Sequence, residues 1–219
     1  MSPRSAAITA CCVLAFSLLT ACGQEATQVA APAPPATPSG NDADLARAQT
    51  AAQAFSSQLQ QRLQGAMKDD GPVAAVDVCH TDAPAIAEAV MAEHGVRLGR
   101  VAAPGRNRNP AHAADDWRLE TLQAFQQAVD DGAEAGEQVS VARHDLPDGV
   151  ALRMMRGIAT ESGCLACHGS QVDAEVRAAI LQRYPEDRAT GFEVGDLRGA
   201  LWVEVPVTLP PSAISGEAR

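Results

Sequence analysis

Lysine is almost missing from this chain. Lys68 is the only one among 17 basic residues, which face 27 acidic ones for a formal net charge of −10. A surface that acidic repels phosphate backbones and anionic headgroups, so nucleic acid is excluded as a partner. Long apolar runs are missing too. The longest, AAITACCVLAFSLLTAC behind the lone charge of Arg4, falls short of the ~20 residues of a spanning helix and reads as a secretory h-region. There is no internal repeat, no Ser/His/Asp set, no phosphate-cradling glycine loop and no paired-carboxylate motif. Nothing in the chain therefore points to an enzyme.

Cysteine is scarce and oddly placed. Of six cysteines, Cys11 and Cys12 lie inside the h-region, and Cys22 closes Leu19-Thr20-Ala21-Cys22, which resembles a bacterial lipobox. That reading makes residues 1–21 a lipoprotein signal peptide, cut before an acylated Cys22. Loss of Arg4 leaves the mature chain more negative still. Residues 22–42 are then the lipidated cysteine and an Ala/Pro-rich tether, GQEATQVAAPAPPATPSGN, lifting a domain off a membrane. Residues 43–208 suffice for one domain with one core, and 209–219 form a C-terminal tail. Cys79, Cys164 and Cys167 remain in the domain. An odd set in an oxidising compartment suits a cofactor that consumes thiols better than a disulfide framework.

Within the domain the hydrophobic pattern is helical first and strand-like later. Leu45, Ala48, Ala52, Phe55, Leu59 and Leu63 recur at three or four residues behind an N-cap at Asn41 or Asp42. A second helical stretch covers residues 73–94, bent or capped afresh near Pro84. Leu119, Leu122, Phe125 and Val129 mark a third helix, stopped by Gly132. VRLGRV, residues 96–101, is a short strand. QVSVARH and GVALRMMRGI alternate with period two around Pro147-Asp148-Gly149 and predict a hairpin. LWVEVPV sets Leu201, Val203, Val205 and Val207 against Trp202 and Glu204, with Pro206 suggesting an edge strand. With one more helix at 173–183, this is an α+β pattern.

The chemistry is concentrated in ESGCLACHGS, residues 161–170, where Cys164 and Cys167 bracket two residues and His168 follows. A redox dithiol needs such a motif at the end of a strand opening a helix, in a βαβ context that this chain lacks. Zinc can take Cys79, Cys164, Cys167 and His168, but no second C-x-x-C or H-x-H pair completes a ribbon or finger. One covalent haem c uses every member: both thiols become thioethers, and the adjacent imidazole of His168 is placed beneath the iron. After His168 there is no Met, His, Cys or Lys, so a sixth ligand lies upstream or the site is open. The candidates are Cys79, His80, His94, His112, His144, Met67, Met91, Met154 and Met155. Cys79 shares a helical face with Ala83, Ile86 and Val90, where a small buried hydrophobe is the bland alternative. Of the adjacent Met154 and Met155, one must face a core. Arg106, Arg108 and Arg153 can clamp haem propionates, since a guanidinium fork matches a carboxylate.

Four blocks carry a family resemblance: GPVAAVDVCHTDAPAIAEAV, GVRLGRVAAPGRNRNPAHAADDWRLE, ESGCLACHG and RYPEDRATGFEVGDLRGALWV. Together they resemble the PAS-like c-type haem domains with histidine/cysteine axial ligation, found in bacteria as stand-alone exported proteins and as sensor regions. Arg108, Asn109 and Pro110 match that family's RNP, and the last block matches almost throughout. The resemblance implies an α+β, PAS-like antiparallel sheet with flanking helices and a covalently bound haem. It places Cys79 as the distal ligand of the iron opposite His168. His112 stands where the family has asparagine, which keeps it as the alternative; Ala102 and Ala114 are further departures.

These readings lead to a lipid-anchored protein on a periplasm-facing membrane, the outer rather than the inner. Its expected function is electron transfer with an exported redox protein. The alternative is a sensor of redox state or of a diatomic gas ligand, reporting to a separate signalling partner, since no output domain is present. An anionic thiolate favours Fe(III) over Fe(II) and lowers the potential.

Overall fold

The computed structural model describes residues 40–207. The signal segment, Cys22, residues 22–39 of the tether and the tail lie outside the described residues. Helix α1 (Gly40–Asp69) already contains Asn41 and Asp42, so neither is its cap; Asp42 in the first turn instead faces the positive end of the helix dipole. Its buried stripe, Ala48, Ala51, Ala52 and Phe55, puts small side chains where the helix lies close against the sheet.

The stretch expected to be one bent helix is divided in three: α2 (Gly71–Asp77), a π-helical turn (Val78–Asp82) and α3 (Ala83–His94). Pro84 falls in the first turn of α3, where its missing N–H costs nothing. The bend comes from the π turn, in which the Ala83 N–H reaches back five residues to the Val78 carbonyl. One inserted residue rotates the helix phase. Ala83 and Val90 keep facing the core, at 2% and 0% exposure, while Cys79 is turned off their face and left half-buried.

Helix α4 (Asp116–Asp130) buries Leu122 and Phe125 and ends before Gly132, whose φ of +99° suits glycine. Helix α5 (Leu165–His168) is a single turn carrying the cysteine motif. Helix α6 (Ala174–Arg183) starts at Asp173, whose side chain accepts the Glu175 N–H at 2.8 Å.

Strands β1 (Arg97–Ala102), β2 (Val139–Ala142), β3 (Val150–Ala159) and β4 (Leu197–Pro206) form one antiparallel sheet in the order β1-β4-β3-β2. The β2–β3 hairpin is as expected. The edge assignment of β4 is corrected: it is central. Pro206 is tolerated because β1 pairs only as far as Glu204, through Arg97, so no β1 partner faces the missing N–H.

Helices cover both faces of the sheet. Leu98, Leu152, Met154, Leu201, Val203 and Val205 pack with α1 and α3, whereas Val101, Met155 and Ala200 pack with α4. Met154 and Met155 are therefore both buried, at 3% and 0% exposure. A two-sided sheet buries both parities of its central strands. A third cluster, Val76 on α2 with Val176 and Ile180 on α6 and Tyr184, takes in Cys167. This packing draws the cysteine motif towards the π turn that carries Cys79. Among the described residues no helix is long and apolar enough to cross a membrane.

Candidate functional site

A cleft opens on the α1/α3 side of the sheet, with about 600 Å³ of empty space including its mouth. Cys79, Arg100, His112, His168, Tyr184 and Arg198 line it together with Arg106 and Arg108. Of the upstream candidates for a sixth ligand, only Cys79 and His112 are among its walls. Met154 and Met155 are in the two cores, Met91 packs beside α1, Met67 packs with Ala66 and Ala75, and His80 stands edge-on to Tyr184. Neither His94 nor His144 reaches the cleft.

The proximal side is built by two segments far apart in sequence. His168 closes α5, and the loop from Tyr184 to Asp196 wraps around it. The Nδ1–H of His168 donates to the Ala189 carbonyl at 2.7 Å, while the Phe192 N–H reaches the His168 carbonyl and the Gly191 N–H that of Gly169, both at 3.0 Å. With Nδ1 donating, the Nε2 lone pair faces the cleft, where it accepts from Arg198 Nη1 at 3.2 Å. Burial, with Arg198 and Arg108 nearby, holds His168 well below the usual imidazole range and keeps the ring neutral. A neutral imidazole whose back nitrogen is held by a carbonyl is the arrangement of a metal-ligating histidine.

Arg108 fastens this loop to the motif. Its guanidinium donates to Asp187 at 3.0 Å, to the Cys167 carbonyl at 2.6 Å and to the Ala189 carbonyl at 3.3 Å. Asp187 accepts the Ala189 N–H at 3.0 Å as well. Arg108 thus engages its Nε and Nη2 inside the protein while it still lines the cleft. Arg153 is not among the residues that line the cleft. It lies on the α4 face, paired to Glu204 at 2.8 Å and stacked on Trp117. Strand parity puts it across the sheet from the cleft. Arg106 does line the cleft, lying over the Phe192 ring at 3.4 Å and donating to the Thr190 carbonyl at 3.2 Å.

Cys164 and Cys167 sit on consecutive turns as free thiols, each half-buried. The Cys164 sulfur accepts the Glu161 N–H at 3.4 Å. Burial raises the Cys167 thiol above its ordinary range, against the pull of Arg108. His112 ends a 3-10 turn (Pro110–His112) capped by the Asn109 side chain. Burial, with Arg100 beside it, lowers His112 to about 4, so it too is neutral at neutral pH. Among the described residues no three His, Cys, Asp or Glu side chains gather closely enough to hold a metal ion.

Sequence reasoning missed Asp187, Ala189, Tyr184, Arg100 and Arg198. For Tyr184, Asp187, Ala189 and Arg198 the signal is the segment RYPEDRATGFEVGDLRGA, which carries part of the family resemblance. It is a clasp on the histidine.

An α+β domain whose cleft offers neutral imidazoles, a free thiol and guanidinium groups defines a prosthetic-group-binding class of protein. A family model described as Tll0287-like matches residues 41–206, nearly the whole described domain, and the chain belongs to that family. Among solved structures it is similar to the cyanobacterial heme-protein Tll0287, at 28% identity and a TM-score of 0.55, over 80% of this chain and 99% of that one. No curated protein matches it.

Proposed function

We propose that this protein is an exported, lipid-anchored c-type haem protein that carries one covalent haem and transfers electrons. The haem of the similar cyanobacterial protein supports this reading, and so do the residues of the cleft. Cys164 and Cys167 would hold the group as thioethers, His168 would bind the iron through Nε2, and Cys79 would take the opposite position, with His112 as the alternative. The observation that carries the proposal is the His168 ring, fixed through Nδ1 on Ala189 with Nε2 turned into a cleft that Cys79 also lines. When bound, the group supplies a one-electron iron couple. The chain's part is to orient His168, exclude water on the buried side and offer a thiol whose anion favours Fe(III).

A second reading is sensing, and the π turn favours it. Such turns occur frequently at functional sites in helices, and Cys79 is held by one rather than by regular helix. A thiolate bond that weakens on reduction would free Cys79, open the position to a diatomic gas and report to a partner protein.

The test is spectroscopic. Protein matured in a c-type-competent periplasm should keep its haem through acid-acetone extraction, and Cys164→Ser with Cys167→Ser should abolish that. The Cys79→Ala variant should keep the haem but lose the low-spin EPR signal of the oxidised state. An unchanged low-spin signal removes Cys79 from the iron, and extractable haem sinks the covalent reading. Fast CO binding to wild type on reduction, coupled to a partner's release, would favour the sensor.

A further inference from the structure

Two cations in the cleft have no counter-anion. Arg100 faces the α1/α3 side opposite Leu201 on β4 and lies 5.7 Å from the Phe55 ring. Among the described residues it makes no ion pair and no hydrogen bond to a carboxylate. Among the described residues Arg198 has a buried Nε without any hydrogen-bond partner, and its only polar side-chain contact is with His168 Nε2. Among the described residues the other two arginines of the cleft, Arg106 and Arg108, have carboxylate partners in Asp196 and Asp187. Half-buried guanidiniums sharing one cleft repel each other and bear a desolvation cost that an anion would offset.

The backbone goes out of its way to put Arg198 there. In strict alternation Leu197 and Leu201 would share a face, yet Leu197 packs with α4 and Leu201 with α1 and α3. The parity flips at a bulge, where Ile158 pairs with Gly199 and Ala159 with Leu197, leaving Arg198 as the extra residue. Gly199 allows this at φ +154°, with the Val101 carbonyl 2.1 Å from where a Cβ would stand. Without the bulge Arg198 would project to the α4 side with Ala200 and Trp202.

We infer that Arg100 and Arg198 anchor the two carboxylates of the prosthetic group, a role that rests on the haem reading. If Nε2 of His168 held a metal, its lone pair would no longer be open to Arg198, and this guanidinium would be free for another acceptor. Arg100 is already unpaired. Two free planar cations match two flexible carboxylates by bidentate hydrogen bonding. Arg108 already has a counter-anion in Asp187, and Arg153, paired to Glu204, does not line the cleft.

Because the haem is covalent, losing its anchors changes its electronics and not its occupancy. The experiment is a spectroelectrochemical titration of matured wild type, Arg100→Met, Arg198→Met, the double variant and Arg153→Met. The cations hold the carboxyls ionised, so the pH-dependent step in the potential should move up by about one pH unit or more in the double variant. The potential at alkaline pH should fall, since two charges that favoured Fe(II) are gone. Arg153→Met should match wild type. Arg100→Lys and Arg198→Lys keep the charge and should hold the wild-type profile, while Arg100→Gln and Arg198→Gln, which lose it, should shift like the Met variants and serve as the test if those fail to fold. Excess inorganic phosphate should leave the wild-type profile unmoved. An unshifted double variant, an equal shift in Arg153→Met, or a phosphate-dependent shift that the double variant abolishes would overturn the assignment. Matured protein without a covalent haem band would overturn the haem reading instead.

Discussion

Asp187→Ala should loosen the proximal side of the cleft at a cost that the geometry bounds. Asp187 and Arg108 are 5% and 11% exposed at their side chains, so the pair is nearly dry. Removing one partner of a buried pair costs about 3–5 kcal/mol, chiefly because the other charge is stranded. Arg108 keeps two acceptors, the carbonyls of Cys167 and Ala189, which pulls the cost toward the lower end. Loss of the Ala189 N–H bond to Asp187 adds about 1 kcal/mol. The sum is about 4 kcal/mol, or roughly 8–16 °C in Tm for a domain of this size. Urea unfolding of matured protein measures it, in a cycle with Arg108→Met and the double variant. The double variant should lose less than the sum of the singles, with a coupling above about 1 kcal/mol. His168 should feel the change too: with Ala189 unpinned, its hydrogen bond slackens and the iron–histidine stretch in resonance Raman should fall. Additive singles with coupling under about 0.5 kcal/mol would refute the clasp.

Gly199→Ala should destabilise by about 2 kcal/mol or more, since a Cβ meets the Val101 carbonyl at 2.1 Å in a backbone region that L side chains rarely adopt; a wild-type unfolding midpoint would contradict this. His112, lowered to about 4 by burial and Arg100, titrates near 6.5 when unfolded. Between those values the unfolded chain binds the extra proton, so stability is full above about pH 6.5 and falls as pH drops toward about 4. In His112→Gln the slope of urea midpoint against pH should flatten over that window, and an unchanged slope would remove His112 as its source. Cys22→Ala, outside the described residues, should prevent acylation and release the domain from membranes with its haem spectrum intact. Absence of labelled palmitate in the unmutated protein would show that the lipobox assignment is mistaken.

Local signals carried much of the molecule. The 3.6-residue stripe of α1, the β2–β3 hairpin and the C-x-x-C-H motif were all legible, because each depends on residues within a few positions of one another. Cys79 and His112 were legible as chemistry but not as neighbours. Their shared cleft exists only once α6 packs on α2 and the sheet is closed. Pro206 misled because a missing N–H marks an edge only when a neighbour strand extends that far, and β1 stops at Glu204's partner. Arg153 misled for a parity reason: alternate residues on β3 face opposite cores, and nothing local says which face holds the cleft.

By itself, then, the sequence determined which atoms can bind a metal-bearing group and which segments become helix or strand, since bonding type and local periodicity are properties of the chain. Tertiary structure alone decided which charges are spent and which are free. Arg108 is tied to Asp187, 79 positions away, and Arg153 to Glu204, 51 positions away, while a bulge at Gly199 leaves Arg198 in the cleft beside Arg100. A guanidinium's availability depends on which distant carboxylate the fold brings to it, and that pairing is set by packing.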